Sequence, residues 1–113
     1  MTTIFHNPRC SKSREALRLI EEKGGEFEIV KYLEEPLDKG ELQDLVSVLE
    51  IKPLELVRKQ EKAWKAHYKG KELTDEQIID AMVKFPKLIE RPIVINGNRA
   101  AIGRPPEKIL EVL

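Results

Sequence analysis

Across 113 residues there is one cysteine, Cys10, and no aspartate or glutamate ahead of Glu15. A lone thiol cannot close an internal disulfide, so a disulfide-stapled scaffold is excluded. One cysteine and two histidines, His6 and His67, also fall short of a closed zinc site, and no metal is expected. No apolar run exceeds a few residues, so a transmembrane helix and a membrane partner are not expected. Net charge is absent as well, since 20 Lys and Arg balance 20 Asp and Glu. A nucleic-acid binder carries a basic excess, so nucleic acid is not an expected partner. The opening MTTIFHNPRC lacks the apolar stretch of a secretion signal, and a cytoplasmic location is expected.

What is present is unevenly placed. The first fourteen residues carry net +3 and the remainder net −3. The concentration falls on HNPRCSKSR, His6 to Arg14, which surrounds the only thiol with Arg9, Lys12, Arg14 and a histidine.

The flanking pattern places that segment. Thr2 to Phe5 is a short β-favouring run broken at Asn7-Pro8. From Ser11 the spacing of Ala16, Leu17 and Ile20 predicts a helix that stops at Gly24-Gly25, and Phe27 to Leu33 predicts a second strand. Strand, helix and strand make a βαβ unit, which favours parallel pairing. Asp38 with Glu41, and Thr74 with Gln77, are capping boxes ahead of apolar helical spacing. Pro53 is expected to open a helix carrying Leu54, Val57 and Arg58. Phe85-Pro86 ends or kinks the later helix. Asn96-Gly97 predicts a type I′ hairpin between Ile93–Ile95 and Arg99–Ile102, and Pro105-Pro106 opens a closing helix with Ile109, Leu110 and Leu113 on its apolar side. The fold class is therefore α/β, with βαβ and ββα halves of a mixed sheet around an inserted helical block. Residues 1–113 are expected to form a single domain with the insertion at about 38–90.

Cys10 stands at the end of a strand-to-helix loop, one residue before the predicted helix. First-turn amides there lack internal partners, and the helix dipole adds partial positive charge. A free thiol with a pKa near ~8.5 is mostly protonated at neutral pH, and such surroundings favour its anion. They also suit an oxyanion ligand. A solitary cysteine is ordinarily a buried, inert hydrophobe. The polar neighbours and acid-free surround of Cys10 point instead to a reactive one. A dithiol switch needs a second cysteine where Ser13 stands, and a cysteine phosphatase needs arginine where Ala16 stands. Neither histidine has an evident orienting acid for a Cys-His hydrolase. A single nucleophilic thiolate, regenerated by an outside thiol, fits the residues.

HNPRCSKSR after the first strand, KYLEEP after the second, LVRK in the helical block, ERPIVI and the terminal IGRPPEKILEVL together resemble the glutaredoxin-coupled arsenate reductase family. The resemblance implies a thioredoxin-like fold and the reduction of arsenate to arsenite. It implies that Cys10 is the nucleophile and that Arg58, Arg91 and Arg104 bind the oxyanion. His6 is implied to help keep the thiol ionised; from the residues themselves, Arg14 as a nearby cation and Ser13 as a hydroxyl donor are expected to stabilise the thiolate. Glutathione is then a co-substrate, glutaredoxin the protein partner, and no bound cofactor is needed. A monomer is expected. Arg91-Pro92 falls where thioredoxin-like folds carry a cis proline.

Two other readings stand beside this one. A thioredoxin-like transcriptional regulator that binds RNA polymerase has a related architecture, and a thiol protein that becomes glutathionylated could take a different oxyanion. Trp64 and Tyr68 read as packing anchors. His67 reads as a surface residue. Residues Lys59 to Lys71 hold five lysines against one glutamate, which reads as a solvated face able to dock an acidic partner.

Overall fold

The computed structural model describes residues 2–113, and the chain divides into two units. The first runs to Glu35 and resumes over Arg91–Leu113; the second is Pro36–Glu90. Among the described residues no helix is long and apolar enough to cross a membrane.

The first unit is a four-stranded mixed sheet in the order β2-β1-β3-β4, made of β1 (Thr2–Phe5), β2 (Phe27–Val30), β3 (Ile93–Asn96) and β4 (Arg99–Ile102). β1 and β2 pair in parallel through α1 (Ser11–Lys23), as the βαβ reading predicts. β3 runs antiparallel to β1, opposing Val94 to Ile4, and both residues are fully buried. They join Ala16 and Ile20 of α1 with Ile109 and Val112 in one core. These halves make the unit a thioredoxin-like α/β fold.

Three local details differ from the sequence expectation. β2 stops at Val30, because the amides of Glu34 and Glu35 turn back to the Lys31 carbonyl. The hairpin loop is Gly97-Asn98 rather than Asn96-Gly97, since Asn96 pairs with Arg99. Gly97 alone takes a positive φ of 64°, so glycine leads the turn as in type II′. Asn96 is spent elsewhere, donating its side-chain amide to the Val112 carbonyl at 2.8 Å. The last element is a 3-10 helix, Pro106–Glu111. With three residues per turn, Ile109 and then Val112 face inward, while Leu110 is exposed.

The second unit is helical. α2 (Lys39–Leu49) and α4 (Asp75–Lys84) both start on complete capping boxes, at Asp38/Glu41 and Thr74/Gln77. They pack together through buried faces that include Leu42, Leu45, Ile78 and Met82. Between them lie α3 (Lys62–His67), anchored by buried Trp64, and a 3-10 turn at Pro53–Leu56. The expected helix through Val57 and Arg58 does not form. Val57 instead makes a β-bridge with Ile89, and the Arg58 amide bonds to the Leu88 carbonyl at 2.7 Å.

Candidate active site

The loop from His6 to Cys10 is shaped by a small polar network. The His6 amide continues the β1–β2 pairing by donating to the Val30 carbonyl at 2.9 Å. Asn7 then folds the chain. Its side-chain oxygen accepts the Arg9 amide at 3.1 Å, and its carbonyl accepts the Cys10 amide at 3.0 Å. Ser13 reaches back from the first turn of α1, where its hydroxyl accepts the Asn7 amide at 3.0 Å and meets His6 Nδ1 at 2.6 Å. His6, Asn7 and Ser13 are all buried, Ser13 completely.

This network puts Cys10 at the N-cap of α1 with extended backbone angles, half-buried. Its side chain closes no full capping hydrogen bond. Burial raises the thiol's pKa, but the Ser13 amide, the Arg91 guanidinium and the Lys12 amide outweigh it, and the net shift is downward. Two of these are orphan amides of the helix's first turn, which is why the position matters as much as the charge.

The source of the positive charge differs from the sequence expectation. Arg9, Lys12 and Arg14 are exposed, and Arg14 donates Nη1 to the Pro8 carbonyl at 2.9 Å, tying the loop instead of facing the sulfur. His6 is not a cation: burial, and then the charges of Lys31 and Arg14, push its pKa below the usual imidazole value. At neutral pH it is a neutral hydrogen-bonding group. Ser13 faces the thiol with its amide, not with the hydroxyl that sequence reasoning singled out. A guanidinium in contact with the sulfur is that of Arg91, some eighty residues away in the chain.

Arg91 sits just ahead of β3, next to the cis Arg91-Pro92 bond. It touches Tyr32 as well as Cys10, and it stays charged in spite of its burial. Tyr32 is fully buried in the turn after β2, and sequence reasoning missed it. The only signal was an aromatic at a strand end, which is indistinguishable from ordinary core. Arg104 is brought alongside: its Nε donates to the Arg91 carbonyl at 2.8 Å. Glycine at 103 permits this, because a Cβ there would lie 2.7 Å from Pro92 Cγ, too close for any side chain. The Gly103 amide bonds to the Pro92 carbonyl at 2.8 Å, and Arg104-Pro105 is a second cis bond.

Cys10, Arg91 and Arg104 are therefore assembled within the first unit. Arg58 belongs to the second, where its Nη1 lies 3.1 Å from Glu90 Oε1 and its Nε 3.6 Å from Glu61 Oε1. Among the described residues no three His, Cys, Asp or Glu side chains converge as a metal site would.

The loop network also carries a stability prediction. Ser13→Ala strands two buried partners, the Asn7 amide and the His6 ring, and is expected to lower the unfolding free energy by about 1–3 kcal/mol. Urea denaturation measures that loss, and thiol absorbance should show Cys10 titrating higher as its first-turn amide loosens.

Comparison with known proteins extends the picture along the whole chain. The ArsC family model matches residues 5–112. The uncharacterised protein YfgD of Escherichia coli K12 is 49% identical over 112 residues, covering 97% of this chain and 94% of its own length. An arsenate reductase of Haemophilus influenzae is 42% identical, covering 97% of both. Among solved structures, an arsenate reductase from Vibrio cholerae superposes with a TM-score of 0.95 at 42% identity, covering 99% of this chain and 97% of its own. A match that takes in the Cys10 loop, Arg91 and Arg104 together makes this chain a member of the ArsC family.

Proposed function

We propose that the chain reduces arsenate to arsenite through the Cys10 thiolate, with glutathione and a glutaredoxin supplying the electrons. The observation that carries this reading is the Cys10–Arg91 pair: a sulfur biased toward its anion, touching a permanently charged, planar donor. That combination suits a nucleophile aimed at a tetrahedral oxyanion. Relatives named arsenate reductases add support.

In the proposed reaction the thiolate attacks arsenic(V) and forms a sulfur–arsenic bond, while an arsenate oxygen leaves as water after protonation. Arg91 and Arg104 hold the remaining oxygens as charge builds on them. In this reading Arg58 supplies the third guanidinium. The glutathione sulfur displaces a second oxygen from the arsenic as water, and a glutaredoxin thiolate takes that sulfur as a mixed disulfide. The electron pair stays on arsenic, which becomes arsenic(III). Hydrolysis then frees arsenite and regenerates Cys10. Overall one arsenate and two thiols give arsenite, a disulfide and water. With a single cysteine, the chain must draw both reducing sulfurs from outside.

The test is NADPH consumption coupled to glutathione and glutaredoxin, started with arsenate, comparing the native chain with Cys10→Ser. Turnover that does not require arsenate, or that survives the substitution, rejects the proposal.

Tyr32 enters through Arg91. Tyr32→Phe keeps the buried ring but removes the hydroxyl facing the guanidinium. The expected result is a thiol that titrates higher and phosphate competition weakened severalfold, with melting little changed. Absorbance at 240 nm and inhibition by inorganic phosphate read the two effects.

A further inference from the structure

The start of the lysine-rich tract, residues 60–63, lines one side of a groove in the helical unit. Lys62 and Ala63 of α3 face Lys84, Phe85, Pro86 and Lys87 at the end of α4 across about 780 Å³. The floor is apolar, formed by Ala63, Phe85 and Pro86. Phe85 is held firm, with His67 stacked on it at 5.3 Å and 11° and Lys84 Nζ 5.5 Å from its ring centre. The rim is cationic. Lys62, Lys84 and Lys87 are exposed, and none has an ion-pair partner among the described residues.

Two carboxylates lie nearby, but both are committed. Glu61, which also lines the groove, and Glu90 share the single Arg58, so the three lysines still outweigh the one carboxylate charge left over. Three ammonium groups without ion-pair partners around an aromatic floor call for an occupant that carries several carboxylates and some apolar surface. The volume suits a few residues of polypeptide.

Arg58 lines the same groove. Under the proposed function Arg58 binds the oxyanion, so an occupant of this groove also meets a guanidinium that the reaction uses. We infer that the groove of Lys62, Lys84, Phe85 and Lys87 docks an acidic surface segment of the protein thiol reductant that completes the reaction. This rests on the function proposed above. Complementary charge of this kind acts mainly on encounter and specificity, and it weakens as salt rises.

The probe is an acidic glutaredoxin, titrated onto the full-length, isotope-labelled chain without arsenate. Amide shifts should gather on Ala63, Lys84, Phe85 and Lys87, and added salt should weaken binding. The K62E/K84E/K87E variant should bind at least tenfold more weakly and show a correspondingly higher KM for glutaredoxin. Its KM for arsenate and its phosphate inhibition should stay unchanged. The neutral K62Q/K84Q/K87Q variant should fall between the two, which guards against a folding defect in the reversed one. No binding, shifts confined to other residues, or a glutaredoxin KM indifferent to charge reversal overturns the docking site. Failure of the function looks different: binding through this groove with no arsenate-dependent thiol oxidation rejects the reductase reading and keeps the interface.

Discussion

Replacing Cys10 with serine is expected to reduce arsenate-dependent thiol oxidation to background while leaving the melting temperature within about 2 °C of the native value. The asymmetry follows from the site. Cys10 is half-buried, and its side chain closes no hydrogen bond that the fold depends on. An oxygen of nearly the same size can occupy the place. Chemically the exchange is complete. A serine hydroxyl remains protonated at working pH, and the first-turn amides and Arg91 that ionise a thiol cannot ionise an alcohol to a useful degree. The coupled NADPH assay and a thermal melt measure both halves.

Arg91→Ala is expected to lower kcat/KM for arsenate by about 10²- to 10³-fold, the scale seen when a charge-stabilising donor is removed. Two losses combine here. The oxyanion loses a planar donor, and the sulfur loses the guanidinium that contacts it, so the thiol's pKa rises. The direction with pH can be fixed. Because the folded-state pKa is depressed, activity should fall as pH drops through it, and that fall should begin at higher pH in the alanine variant. The same depression makes a contribution to stability that is fully present above the unfolded thiol's pKa. It is lost as pH falls through the folded value. Arg91→Lys should recover part of the thiol ionisation but less of the oxyanion binding, since an ammonium lacks the two-pronged geometry. Thiol absorbance across pH, together with phosphate inhibition, separates these effects. An unchanged titration in Arg91→Ala contradicts the contact on which the mechanism depends.

Much of the fold was legible because its signals are local. Asp38/Glu41 and Thr74/Gln77 each start a helix with a side-chain-to-amide bond spanning three residues, and both form as read. Thr2–Phe5, α1 and β2 follow from short-range periodicity in the same way. Val57 and Arg58 failed because a competing long-range partner won. A β-bridge to Ile89 draws them out of the helix that Pro53 suggested. Leu110 failed for a geometric reason, since a 3-10 turn moves the inward positions to Ile109 and Val112.

By itself the sequence determined where the proposed nucleophile lies: a lone cysteine one residue before a helix, in an acid-free stretch, needs only its neighbours to be singled out. It could not determine what lowers that thiol's pKa. The cations next to Cys10 in the chain turn outward because helix geometry carries Lys12 and Arg14 away from the cap, and His6 loses its charge to burial. The charge arrives with Arg91, which antiparallel pairing of β3 on β1 brings to the end of the first strand. Tyr32 and Arg104 then touch Arg91 from two other segments. Only the tertiary structure decides such contacts, because electrostatic interaction depends on distance through space and not on separation along the chain.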